Sequence, residues 1–258
     1  VKHLDKLTYN SYLKVDQLLS LQDVLSVPPE HDELLFIIVH QVHELWFKQM
    51  LHEIEAAMRN METGDLLKVQ KNFRRIHAIQ RLLEQQVDVL ETMTPQEFNA
   101  FRDRLDPASG FQSAQFREIE FAGGLRKTGY LQYLEPTSDE RERLEMRLRE
   151  PTLYDRLKGV LATRGFSTAD AASLLDSLQT IYERSSEYYD LYLLLEDCIE
   201  FDERFLVWRS RHVRMVERMI GMKPGTGGSL GVPYLERTLE KRFFPELWQV
   251  RTRLGERA

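Results

Sequence analysis

The chain has 258 residues, 42% of them hydrophobic and 29% charged, the composition of a soluble globular protein and not of a disordered tail or a membrane bundle. Its longest apolar run, Leu34–Val39, is far short of the roughly 18 residues that a membrane helix needs. With 35 basic against 41 acidic residues, a formal charge of -6 and no block of Lys and Arg, duplex nucleic acid is a poor candidate for the main partner. The one cysteine, Cys198, cannot close an internal disulfide, and the start VKHLDKLTY lacks a signal peptide's apolar core, so cytoplasm is the expected compartment.

The pattern predicts an all-α protein, a helical bundle built around long antiparallel helices, with no alternating strand pattern and no repeat. A first segment, 7–25, carries Leu7, Leu13, Leu18, Leu21 and Leu25 and must stop before Pro28-Pro29. Tyr9, Tyr12 and Leu13 give it an apolar surface suited to docking elsewhere. A second helix is predicted over 32–61, apolar on more than one side and therefore central. Thr63-Gly64-Asp65 turns the chain into a third helix of about 25 residues, and so short a connector predicts an antiparallel pair.

Thr94-Pro95-Gln96-Glu97 combines an N-cap hydroxyl, proline at the first helical position and a carboxylate two residues on, a strong helix start. That helix should end near 106–110. Residues 111–121 resume helix until Gly123-Gly124, and Thr137 with Glu140 and Ser167 with Asp170 mark two further starts. The last large helix is predicted over 184–220, about 50 Å long at 1.5 Å per residue. A glycine- and proline-rich stretch, 222–234, follows, and a terminal helix containing Phe243, Phe244, Leu247 and Trp248 packs back on the rest.

In the last large helix Phe201, Phe205, Trp208, His212, Met215 and Met219 recur at steps of three and four, which puts His212 inside an apolar stripe. Two readings stand. It is a core histidine hydrogen-bonded to an acceptor, or it is an axial ligand, since one neutral imidazole in an apolar wall is what a haem iron accepts. Of the neighbouring Arg209, Arg211, Arg214 and Arg218, some could reach haem propionates and most are expected on a solvent face.

His40 and His43 lie three apart in HQVHE, which follows neither HExxH nor HxxEH, so the zinc signal is weak. One of the pair is structural or, if His212 holds a haem, lines the opposite wall. Arg102 and Arg104 stand beside a turn, where a guanidinium either clamps a carboxylate or makes a surface ion pair. Gly225-Thr226-Gly227-Gly228 is neither a P-loop nor a dinucleotide fingerprint; it is a connector, or a loop that closes Thr226 over a small polar ligand. Cys198 reads as core, without the partners of a nucleophile.

At these residues the chain resembles the tryptophan 2,3-dioxygenase family: LTYNSYL (7–13), DELLFIIVHQVHELWFKQMLHE (32–53), FRDRLDPASGFQSAQFREIEF (101–121), WRSRHVRMVERMIG (208–221), GTGGSLGVPYL (225–235) and FFPELW (243–248). The resemblance implies a haem b enzyme, with one ferrous haem per subunit of a homotetramer. Such an enzyme inserts both atoms of O2 across the indole C2–C3 bond of L-tryptophan to give N-formyl-L-kynurenine, the first step of tryptophan degradation. It implies that His212 is the axial iron ligand and that His40 faces the indole N–H, with Phe36 lining the indole pocket. Arg102 would bind the substrate carboxylate, Thr226 the amino-acid end, and Ser109 would lie by the haem.

Tyr9, Tyr12 and Leu13 would enter a neighbouring subunit's active site, making 1–28 a docking segment on a single catalytic domain, 1–258. Two stretches, 123–134 and 164–172, are shorter than the family pattern. The competing readings are a haem dioxygenase for other indoles, a non-catalytic haem sensor or carrier, and a helical scaffold with structural histidines.

Overall fold

Two short helices open the chain in the computed structural model, which describes residues 7–134, 137–228 and 230–255. They are α1 (Tyr9–Leu13) and α2 (Val15–Leu18), where the sequence predicts one segment to residue 25. The division falls at Lys14, whose φ of 52° is the left-handed conformation that costs an L-residue and cannot continue a helix. Thr8 and Ser11 cap α1 reciprocally, each hydroxyl accepting from the other's backbone N–H. Beyond α2 the backbone N–H groups of Leu25 and Ser26 donate to buried Glu33 at 2.7 and 3.0 Å, which tethers this stretch to the next helix in non-helical form.

That helix, α3 (His31–Thr63), ends at Gly64 with φ 75°, and Asp65 caps α4 (Leu66–Leu90) by accepting from Lys68 N–H. The two form the antiparallel pair that their short connector requires. Their seam contains Met50, Ile54, Val69, Phe73 and Ile76, all at 0% exposure, so the wide apolar arc of α3 is buried as expected. A polar clamp ties the same seam. Glu53, itself buried, accepts from Arg75 at 2.6 Å and from Asn72 at 2.8 Å.

Next come α5 (Pro95–Arg102), capped by the Thr94–Glu97 box, a single 3₁₀ turn (Gly110–Gln112) and α6 (Ala114–Gly123). The helix expected from residue 111 thus starts three residues later, because Ser113 rather than Gly110 supplies its cap. Helix α7 (Asp139–Arg149) is capped by Ser138, not Thr137, and α9 (Ala171–Glu183) by Asp170, not Ser167. Between them stands α8 (Leu153–Thr163), absent from the sequence prediction although Thr152 and Asp155 form a full capping box.

The long α10 (Tyr189–Ile220) begins five residues later than predicted and packs along α4. Helix α11 (Val232–Glu236) is one short turn, and α12 (Pro245–Arg253) closes the described chain, with Phe243 and Phe244 just ahead of it. Fully buried Asp202 on α10 seats that end: its Oδ2 accepts from Phe243 N–H, Phe244 N–H and Trp248 Nε1–H at 2.9, 3.1 and 3.0 Å. Among the described residues there is no strand, and no helix is long and apolar enough to cross a membrane.

Candidate functional site

Where α3 and α10 face each other a cavity of about 270 Å³ opens, closed by the ends of α4 and α5, by residues 109–117 and by the 225–235 segment. Histidines line it from two sides, His40 and His43 from α3 and His212 from α10. The apolar wall between them comes from Phe47, Leu90, Phe98, Trp208 and Met215. A concave, largely apolar space with a few converging polar groups is the usual form of a ligand site.

The three imidazoles differ in what holds them. His40 Nδ1 lies 2.7 Å from the Phe36 carbonyl and His43 Nδ1 lies 2.8 Å from the Val39 carbonyl, each one helical turn back. A carbonyl only accepts, so in both rings Nδ1 carries the proton and Nε2 of the neutral ring is left as an acceptor. His212 makes no hydrogen bond to any described residue. Its ring lies flat against Trp208, with centroids 5.4 Å apart and planes 12° apart.

Electrostatics keep all three neutral. Burial first, and then the nearby His40 and His43, together lower His212 from 6.5 to about 4. Burial likewise lowers His40 and His43, more than their carbonyl bonds and the Glu44 charge raise them. His40 borders the cavity, where an accessible ring still loses hydration.

A neutral imidazole with both nitrogens unengaged, in an apolar wall, fits the protein ligand of a haem iron, and the histidine that is only a satisfied core residue is excluded for His212. The buried Trp208 indole N–H beside it also has no hydrogen-bond partner among the described residues.

Opposite the histidines two loops meet over the cavity mouth. Arg102, the last residue of α5, donates through Nη2 to the Pro224 carbonyl at 2.5 Å. Thr226 Oγ1 donates to the Ala108 carbonyl at 2.7 Å, which leaves its lone pairs free to accept. The loops touch closely enough that a Cβ on Gly227 would stand 2.5 Å from Ser109 Cβ. Glycine there has a packing reason, since the 225–228 loop lies directly against residues 107–109.

Ser109, Arg102, Thr226, His40 and His212 therefore meet at one cavity. Phe36 does not line it; its ring lies against His40 with centroids 4.1 Å apart and planes tilted by 37°, and packs on Phe98 and Phe101 at 5.7 Å. Tyr9 and Tyr12 are 74% and 71% exposed and Leu13 45%, away from this chain's own core. Sequence reasoning missed Trp208 as a cavity residue, together with the buried Arg117 and Glu120, and did not single out Arg209, 3% exposed, from the other arginines of the last large helix. The readable signal was spacing, since Arg209 stands one turn before His212. Cys198 is fully buried, its thiol pushed well up by burial, as the core reading requires.

A family model described as tryptophan 2,3-dioxygenase matches residues 2–171 and 163–254. The tryptophan 2,3-dioxygenase of a Nocardioides species is 49% identical over 254 residues, covering 96% of this chain and 95% of that protein. Those of Herpetosiphon aurantiacus and Caulobacter vibrioides are 46% and 41% identical over 261 residues, each covering 96% of this chain and 98% of theirs. The stretches 123–134 and 164–172 lie within these nearly full-length matches. The chain belongs to the tryptophan 2,3-dioxygenase family.

Proposed function

We propose that this chain is a haem-dependent dioxygenase that inserts both atoms of O2 across the indole C2–C3 bond of L-tryptophan, giving N-formyl-L-kynurenine. The observation that carries the reading is His212, neutral and free of hydrogen bonds in an apolar wall opposite His40, in a chain of this family. The cofactor is haem b, one per subunit and ferrous in the active state, held through a ring nitrogen of His212. When bound, the haem supplies the binding and activation of dioxygen.

The chain's own residues bind and orient the substrate. Arg102 takes the α-carboxylate, its guanidinium already braced by the Pro224 carbonyl. Thr226, whose proton is spent on Ala108, accepts from the ammonium group. His40, with Nδ1–H committed to Phe36, offers Nε2 as acceptor for the indole N–H. It orients the ring without having to remove that proton, because indole N–H is a weak acid and the reaction at C2 or C3 does not require its loss. Phe36 holds His40 through its carbonyl and a tilted ring contact, and Ser109 sets the position of the 225–228 loop. Holding the reactants in one geometry is the protein's main contribution to rate.

Tyr9, Tyr12 and Leu13 complete a neighbouring subunit's pocket, so the working form is a homotetramer in which 1–28 docks on the next copy of the 1–258 catalytic unit. The compartment is the cytoplasm. His212→Ala tests the centre of this reading: the variant is expected to lose haem or its normal ligation, and a native ferrous absorption spectrum in that variant would overturn it.

A further inference from the structure

Apolar burial does not hold the first segment to its own chain. From Leu7 to Leu25 no residue is buried, and Leu7, Leu19, Leu21 and Leu25 are each more than half exposed. Hydrogen bonds to α3 set its course instead. Gln22 Nε2 donates to the Leu18 carbonyl at 3.0 Å and to Gln41 Oε1 at 2.6 Å, while Gln41 Nε2 donates back to the Leu21 carbonyl at 2.8 Å. Further along, the two oxygens of Glu33 accept from Leu25 and Ser26 N–H, and Ser26 Oγ accepts from Glu30 N–H at 2.8 Å.

Together these contacts form a strap. Residues 21–26 run antiparallel to α3, from Gln41 back to Glu33, over about 12 Å of helix at 1.5 Å per residue. At the Glu33 end it is withdrawn from water, with Glu33 1% and Ser26 5% exposed, where hydrogen bonds to a carboxylate are strong. At the Gln41 end it closes on Leu18, the last residue of α2, and so fixes the direction in which α1 and α2 leave α3. Gln41 directly follows His40, which lines this chain's own cavity.

We propose that Gln22, Gln41 and Glu33 are positioning residues for the neighbouring subunit's active site, aiming Tyr9, Tyr12 and Leu13 at the next copy, an inference that rests on the docking reading above. A segment released from the strap samples many directions, so the fraction of neighbouring pockets that it completes falls. Tryptophan then binds with an apparent affinity reduced by that fraction, and saturating substrate draws the segment back in. The strap therefore acts on KM more than on kcat. It also acts in trans, because the site that suffers is the neighbour's.

The test is tryptophan kinetics of the full-length holoenzyme carrying Gln41→Ala, Glu33→Gln or both. The double variant is expected to raise KM about ten-fold with kcat within about two-fold of wild type and haem content unchanged, and each single variant to raise KM less. Because buried Glu33 also bears on stability, the decisive arm is complementation. Each variant is assembled with an excess of Arg102→Ala chains, which lack the carboxylate clamp but carry an intact strap. In mixed oligomers the variant's cavity, with its own Arg102, receives a correctly aimed segment from its neighbour. Its KM, after subtraction of the Arg102→Ala background, is expected to return to the wild-type value.

An unchanged KM in the double variant would overturn the strap's role. So would a raised KM that persists in mixed oligomers, since the effect would then lie in the variant's own site, through His40. A chain lacking residues 1–19 that gains nothing in mixed oligomers with Arg102→Ala chains would instead overturn the docking reading itself.

Discussion

Arg102 and His40 make opposite demands on the chemistry, and their hydrogen bonds already separate the roles. Arg102 is a cation braced by a carbonyl at the mouth of the cavity, so its removal should cost substrate binding and leave the haem in place. Charge-assisted hydrogen bonds are worth about 1.5–3 kcal/mol, so Arg102→Ala should lower kcat/KM roughly ten- to hundred-fold with haem content unchanged. Tryptophan kinetics near wild type would show that the clamp lies elsewhere. His40→Ala, in contrast, should keep measurable turnover, because the ring supplies only an acceptor; no detectable turnover with haem and tryptophan still bound would make it an obligatory base. Both positions were visible in the chain as a histidine pair and an arginine beside a turn. Spacing did not tell His40 from His43, and only the resemblance chose His40; in the structure both donate to a carbonyl one turn back and both line the cavity. Arg209 was missed for a different reason: arginines recur along α10, and its place one turn before His212 went unread, while packing against Glu120 and Phe243 sets it apart from the ion-paired Arg211 and Arg214.

Among the elements, the α3–α4 pair is the frame that holds His40 and His43 in place. Burial pushes the Glu53 carboxyl up, and the Arg75 and Asn72 hydrogen bonds with the Arg75 charge more than reverse this, leaving it below the usual 4.5. As pH falls below 4.5 the unfolded chain takes up the proton first, so the Glu53 contribution is complete above that value and fades as pH drops through the lower folded one. Glu53→Gln should therefore lower Tm most near neutral pH, with the gap to wild type closing below pH 4.5. A gap independent of pH would mean that the clamp acts through packing alone. The long helices were legible because their apolar periodicity and glycine or proline stops agree. Helix α8 was not read, although Thr152 and Asp155 carry a capping signature as plain as that of Thr94 and Glu97. The break at Lys14 had no such signal, because nothing in its side chain announces a left-handed φ.

Across the whole molecule, the exposed Tyr9, Tyr12 and Leu13 and the open cavity are two halves of one account. If the first segment finishes a neighbour's pocket, a chain lacking residues 1–19 and a full-length Arg102→Ala chain should each be nearly inactive alone. Assembled together, they should recover activity in mixed oligomers, where an intact Arg102 meets an intact docking segment from the other chain. Mixed oligomers that form without any gain would show that each subunit completes its own site. The docking segment could be suspected from apolar residues on a short polar helix, but which surface receives it is a property of the assembly and not of one chain's periodicity. Haem and tryptophan must meet in this cavity for the chain to act as proposed. The most direct test is the absorption spectrum of the reduced, purified protein, followed by aerobic addition of L-tryptophan and identification of the product by mass. A haem spectrum with N-formyl-L-kynurenine formed in step with tryptophan loss is the predicted result, and haem without that product, or no haem even after reconstitution, would contradict it.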